Sequence, residues 1–404
     1  MKKNLITLFF LLTVIAGYSQ SYSLYSASMD ELKEQFEDVQ EQGLVVDGLV
    51  LLHGFENFES ITEVMNVNDI RKLKIYSKRI QDIQFLRDFV GLEVLEIDHR
   101  IGMLNLDLLP KSLRYLRISN RPNQICGDQY LTNLKNLILE GNWDCEEVAQ
   151  LTKHGAVDSL TLNSMDFNKF NCFDKPLNVS VFKTINSKFT NLELFSDFLI
   201  LSSLKELEIF SANMEKSIII SSVFKGLIKL TIVNSHLKSL SGLENLSKLN
   251  YLDLSINKLK SWEANLPGLK YLVLAENKFR SVDLSDMDSL IVLDVSFNRL
   301  KNISGLGNFN KEMRAFYFAG NPSFTLTNNC FFEKLRTVSY APQSLKLNAD
   351  FRNLILVYDF SRNSGANSEQ LINTDWENIT VIEAKFYRWR RIENYNEFGQ
   401  IINY

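Results

Sequence analysis

Histidine, cysteine, proline and glycine are all scarce: 404 residues hold 4 His, 4 Cys, 6 Pro and 17 Gly. Four cysteines cannot form the dense disulfide framework of a small secreted scaffold, and none has a CxxC or His-flanked spacing suited to zinc. Low proline and glycine, with 45% hydrophobic residues, exclude a disordered or low-complexity chain. There is no basic surplus either, since 44 Lys and Arg face 48 Asp and Glu. That balance lacks the electrostatic footprint of a nucleic-acid binder, so nucleic acid is not an expected partner. Apart from residues 5–16, no long apolar run is present, and about 12 residues fall short of the roughly 20 needed to span a bilayer. The mature chain is therefore expected to carry no integral membrane segment.

That short run is informative. Lys2 and Lys3 precede it, and Gly17 and Ser19 lie three and one positions before a cut ahead of Gln20. Residues 1–19 read as a secretory signal peptide, so the protein is expected to be exported to the periplasm, the cell surface or the medium. The 60 leucines are the other bias, and their spacing is regular. LNYLDLSINKLKS from Leu249, LKYLVLAENKFRS from Leu269 and LIVLDVSFNRLKN from Leu290 share the pattern LxxLxLxxNxL. Units start at Leu227, Leu249, Leu269, Leu290 and Met313, in steps of 22, 20, 21 and 23. Weaker copies start at Val46, Ile70, Leu92, Leu113, Leu134, Val157, Val179 and Leu204, and one more is read at Leu335. The Val179 unit fits worst, with Thr184 in an apolar slot and Ser187 in place of the turn Asn.

The spacing has a direct physical reading. Two leucines separated by one residue point to the same side of a strand, and a strand with one apolar face is stable only when coils stack on one another. Asn142, Asn257, Asn277, Asn298 and Asn321 recur where the chain leaves the strand, and an amide there can both donate to and accept from turn backbone. The pattern resembles the leucine-rich repeat family, and the 20–25-residue units loosely resemble those of internalin-like exported bacterial proteins. The resemblance implies an α/β repeat, a leucine-rich-repeat solenoid with a curved parallel β-sheet on the concave face and short turns or 3-10 pieces on the convex face. Residues 46–345 are assigned to it.

Open ends of such a stack need covers. Ser28 with Glu31 forms a capping-box signature, and Leu32, Phe36 and Val39 share one helix face up to Gly43, so residues 20–45 are read as a helical N-terminal cap. LILVYDF from Leu354 and ITVIEAKFYRWR from Ile379 alternate like strands, which makes 346–404 a β-rich C-terminal cap or a small attachment module.

Catalytic chemistry finds no support: there is no GxSxG, no Cys with a partnered His and no phosphate-cradling glycine loop. His53 and His99 occupy one repeat slot two coils apart, about 10 Å at the spacing of paired strands, which is too far to share an ion. No enzyme activity, metal or cofactor is expected. Cys126 and Cys145 fall near the same point of successive coils and are the candidate disulfide, whereas Cys172 and Cys330 read as isolated small hydrophobes. By fold analogy the protein is a non-catalytic binding module. Its expected site is the concave sheet at Tyr251, Asp253, Tyr271, Asp294, Phe297 and Tyr317. Rigid tyrosines beside carboxylates suit a protein partner first and a carbohydrate or cell-surface polymer second.

Overall fold

A computed structural model describes residues 21–340 except 77–79, 129–130, 154–155, 307–311, 322–323, 325 and 332–333. Beyond 340 it describes 347–350, 356–359, 380–383, 394–395 and 401–402. The expected signal peptide lies outside these residues, as does most of 346–404. The chain forms two compact units, one up to Leu134 and one from Lys135.

In the first unit the N-terminal helix is Met29–Glu41. Its start is fixed reciprocally: the Ser28 hydroxyl accepts from the Glu31 amide at 3.2 Å, and the Glu31 carboxylate accepts from the Ala27 amide at 2.8 Å. Leu32 and Val39 are buried, and the chain turns away at Gly43, whose φ of +67° is left-handed. Ahead of the helix a strand not expected from the sequence, Ser21–Ser26, pairs in parallel with Val45–Leu51. The parallel ladder continues through Lys72–Ile75, Val94–Ile97 and Tyr115–Ile118. Leu49, Leu73, Leu95 and Leu116 are in register, as are Leu51, Ile75, Ile97 and Ile118, and all are at most 1% exposed.

The second unit repeats this logic from Asn136–Glu140 through Ser159–Asn163, Val181–Ile185, Glu206–Phe210 and Lys229–Val233 to Tyr251–Asp253. Tyr271–Val273, Val292–Asp294, Ala315–Tyr317 and Thr337–Tyr340 follow in the same parallel order. Leu252, Leu272 and Leu293 form one fully buried rung per coil. Leu356–Asp359 and Thr380–Glu383 also add in parallel, so the ladder runs past residue 345, where the repeats were expected to end. Connections are short, as at the 3-10 turn Leu243–Asn245.

The worst-fitting repeat is regular in the structure. Thr184 is fully buried, and its hydroxyl donates to the Leu162 carbonyl at 2.6 Å, so the polar atom is satisfied inside the stack. The Ser187 hydroxyl accepts from the Met165 amide at 3.0 Å and serves part of the turn role of Asn. Phe167, Phe182, Phe189, Phe195 and Phe198 pack together and fill the coil interior there, with ring centroids 4.9–6.2 Å apart.

The pairing of cysteines departs from the expectation. Cys145 is bonded to Cys172, not to Cys126, which is a free thiol. Asp144 caps a helix, Cys145–Thr152, through the Glu147 amide, and this helix carries Cys145 away from the strand slot on which the sequence alignment rested. Asn142 is exposed, unlike the four later turn asparagines, while the neighbouring Trp143 is buried and donates through Nε1 to the Glu140 carbonyl at 2.9 Å.

Candidate functional site

Alternation along each strand leaves two rows on the open face of the sheet in the second unit. One row runs Lys229, Tyr251, Tyr271, Val292, Ala315, and the other runs Glu208, Thr231, Asp253, Val273, Asp294, Tyr317. Tyr251 and Tyr271 are half-buried neighbours with ring centroids 5.9 Å apart. Lys229 reaches over Tyr251, its Nζ 5.3 Å from the ring centroid, and pairs with the Glu208 carboxylate. Lys183 approaches the same carboxylate to 3.4 Å and lies 5.0 Å from the Phe210 ring centroid. Burial alone would raise the Glu208 carboxyl, yet the Lys229 hydrogen bond and the two lysine charges hold it below the usual range. This ion-pair network was not read from the sequence, and it has a counterpart of alternating charge in the early coils. There Lys74 meets Glu96 at 2.8 Å and Arg117 meets Glu96 at 3.6 Å.

The carboxylates and the last tyrosine differ from expectation. Asp253 and Asp294 are 5% and 2% exposed, and each accepts from the backbone amide two residues on, Ser255 at 2.8 Å and Ser296 at 2.9 Å. They hold turns closed and offer little to a ligand. Tyr317 is 2% exposed because Val292 on the preceding strand and Ala315, two residues earlier on its own strand, give its ring an apolar bed. Phe297 is half-buried and sits at φ +53° in the turn. Tyr251, Tyr271 and Phe297 are thus the accessible members of the expected set.

Burial pushes the Asp253 carboxyl up to about 6, with the Ser255 hydrogen bonds acting in the opposite sense and Asp294 adding repulsion. Burial, followed by the charges of Asp253, Glu208 and Asp294, also raises Tyr251 well above its ordinary value. A carboxyl near 3.8 unfolded and about 6 folded stabilises the fold when protonated, and that contribution disappears as pH rises through 6. Asp253→Asn, which keeps an acceptor for Ser255, should therefore stabilise the protein at pH 8 by up to about 3 kcal/mol and by little at pH 4. Urea unfolding across that range checks it; equal effects at both pH values would refute the assignment.

The turn asparagines connect coils. Asn257, Asn277, Asn298 and Asn321 are 5–7% exposed, and each donates to a carbonyl of its own coil and to one of the coil before. Their side-chain oxygens accept from the amides of Leu237, Leu259, Phe279 and Leu300 at 3.0–3.1 Å.

An internalin from Listeria monocytogenes shares this architecture with a TM-score of 0.50 and 19% identity, covering 83% of this chain and 95% of that one. The chain is a leucine-rich-repeat solenoid. A leucine-rich-repeat protein of Leptospira interrogans matches with a TM-score of 0.48 and 16% identity, over 85% of this chain and 94% of that one. In sequence, the chain is 32% identical over 96 residues to the protein phosphatase 1 regulatory inhibitor subunit PPP1R7 homolog of Arabidopsis thaliana. That stretch is 23% of this chain and 29% of the relative. No protein-family model matches. Among the described residues no helix of this leucine-rich-repeat protein is long and apolar enough to cross a membrane.

Proposed function

We propose that this protein is an exported, non-catalytic binding module that holds a protein partner on the open sheet face around Tyr251 and Tyr271. The observation that carries the reading is the aromatic pair itself: two half-buried tyrosines on adjoining parallel strands, one of them beneath the paired Lys229. Tyrosines fixed in this way offer contact area with little entropy left to lose, which is the property of binding anchors. Export is supported by the signal-like N-terminus and by the Cys145–Cys172 disulfide, a bond that persists in oxidising compartments. The leucine-rich-repeat fold is consistent with recognition without chemistry, by analogy of fold.

A photo-crosslinking residue at Tyr271, used in the native organism, should capture a defined partner, whereas the same residue at the exposed Lys260 should not. With that partner, Tyr251→Ala and Tyr271→Ala should each weaken binding by roughly 2 kcal/mol, about thirtyfold, with the unfolding midpoint nearly unchanged. Calorimetry showing unaltered affinity in the double variant would remove the tyrosines from the site.

One observation favours a second reading, a carbohydrate or surface-polymer ligand. Trp262, Asn265, Asp283 and Asp286 line a shallow hollow on the connections, where an indole beside an amide and carboxylates suits a polyol. A glycan array with wild type and Trp262→Ala separates the two readings: retention of a glycan by wild type alone would favour the hollow.

A further inference from the structure

The early coils hold a juxtaposition that repeat arithmetic placed out of reach. Leu51, Ile75 and Ile97 are in register, so His53 and His99, each two residues beyond its rung, stand at equivalent places two coils apart. Strand spacing separates their backbones by about 10 Å. The imidazoles lean toward each other, however, and their ring centroids are 5.3 Å apart with planes inclined at 56°. The expected separation of about 10 Å therefore holds for the backbones and not for the rings, because it omitted side-chain reach.

We propose that His53 and His99 form an open two-imidazole site for a divalent transition-metal ion of the zinc, nickel or copper class. The separation is the right one. A metal–nitrogen bond of about 2.0–2.1 Å puts each ring centroid about 3.2 Å from the ion, and a tetrahedral angle then sets the centroids about 5.2 Å apart. A second observation points the same way: Nε2 of His99 is buried and has no hydrogen-bond partner among the described residues. A buried ring nitrogen without a partner is costly, and a metal ion satisfies it. His53 is exposed, which leaves a path for the ion from solvent. Imidazole selects borderline metals over calcium or magnesium, which take oxygen donors.

The site is incomplete by design of its donor set. Among the described residues no third His, Cys, Asp or Glu joins the pair, and the nearby Asp98 carboxylate faces Arg117 at 3.7 Å. The remaining coordination positions fall to water or to a donor carried by a ligand, so the ion can bridge this unit to an anionic or imidazole-bearing group.

Zinc titration of the full chain by calorimetry tests the assignment. Wild type should bind, and His53→Ala and His99→Ala should each lower the affinity at least tenfold, whereas Cys126→Ser and the His154→Ala, His236→Ala double variant should not. Because His99→Ala could disturb folding, the second test uses intact protein: one equivalent of copper(II) should give an electron paramagnetic resonance spectrum with two coordinated nitrogens. No zinc binding by wild type, unchanged affinity in both single variants, or a copper spectrum lacking two nitrogens would each overturn the site.

Discussion

Asn277→Ala should lower the unfolding free energy by roughly 1–3 kcal/mol, measured as a fall in the urea midpoint. The Asn277 amide donates to Leu254 at 2.8 Å and to Leu274 at 3.1 Å, and its oxygen accepts from Leu259 at 3.0 Å. Alanine would leave the Leu259 amide without its partner at a site that is 7% exposed, an orphaned group that costs about 1–3 kcal/mol, while the Leu254 and Leu274 carbonyls keep the donors of Asn257 at 3.0 Å and Asn298 at 2.9 Å. Asn277→Asp should be no better, because a carboxylate cannot donate to the two carbonyls it would face. Asn298 shares the Leu274 carbonyl with Asn277, donating to it at 2.9 Å. The double variant should therefore be non-additive, as expected of residues with a common partner. A loss under about 1 kcal/mol would mean that water replaces the amide readily and that the leucine ladder alone sets coil stability.

The parts of this structure that were legible in the sequence are those governed by a short period. Leu252 and Leu254 are buried because they fall on one side of a strand, and Asn257 is buried because it falls at a fixed distance beyond them. The helix start at Ser28 was equally legible, since its cap is local. What escaped depends on side-chain length and on neighbours in other coils. Tyr317 has the same strand slot as Asp253 and Asp294, and its burial follows from Ala315 on its own strand together with Val292 on the preceding one, a combination that no single repeat discloses. The aspartates were placed on the correct face but given the wrong task, because their capping of Ser255 and Ser296 is a backbone interaction that composition does not reveal. The meeting of His53 and His99 escaped for the same reason, since it depends on side-chain reach between coils.

Removing the Cys145–Cys172 bond should cost about 3.5 kcal/mol, the chain-entropy value for a loop of this length. The two cysteines are 27 residues apart, a separation slightly longer than one repeat, so the bond ties the helix Cys145–Thr152 to the segment leading into the next coil. A repeat stack is stabilised mainly by neighbouring coils, and a link of this kind restricts the unfolded chain where the repeat is interrupted by a helix. Cys145→Ser, Cys172→Ser and dithiothreitol-treated wild type should lose stability by similar amounts, while Cys126→Ser should lose little. Peptide mapping without reductant should recover Cys145 and Cys172 as one linked pair and Cys126 as an alkylated thiol. A linked Cys126–Cys145 peptide, or a reduced protein as stable as the oxidised one, would refute the pairing. The size of the effect also bears on export. If stability falls by this much in a reducing solution, the chain reaches its full stability only where disulfides persist, as the export proposed above requires.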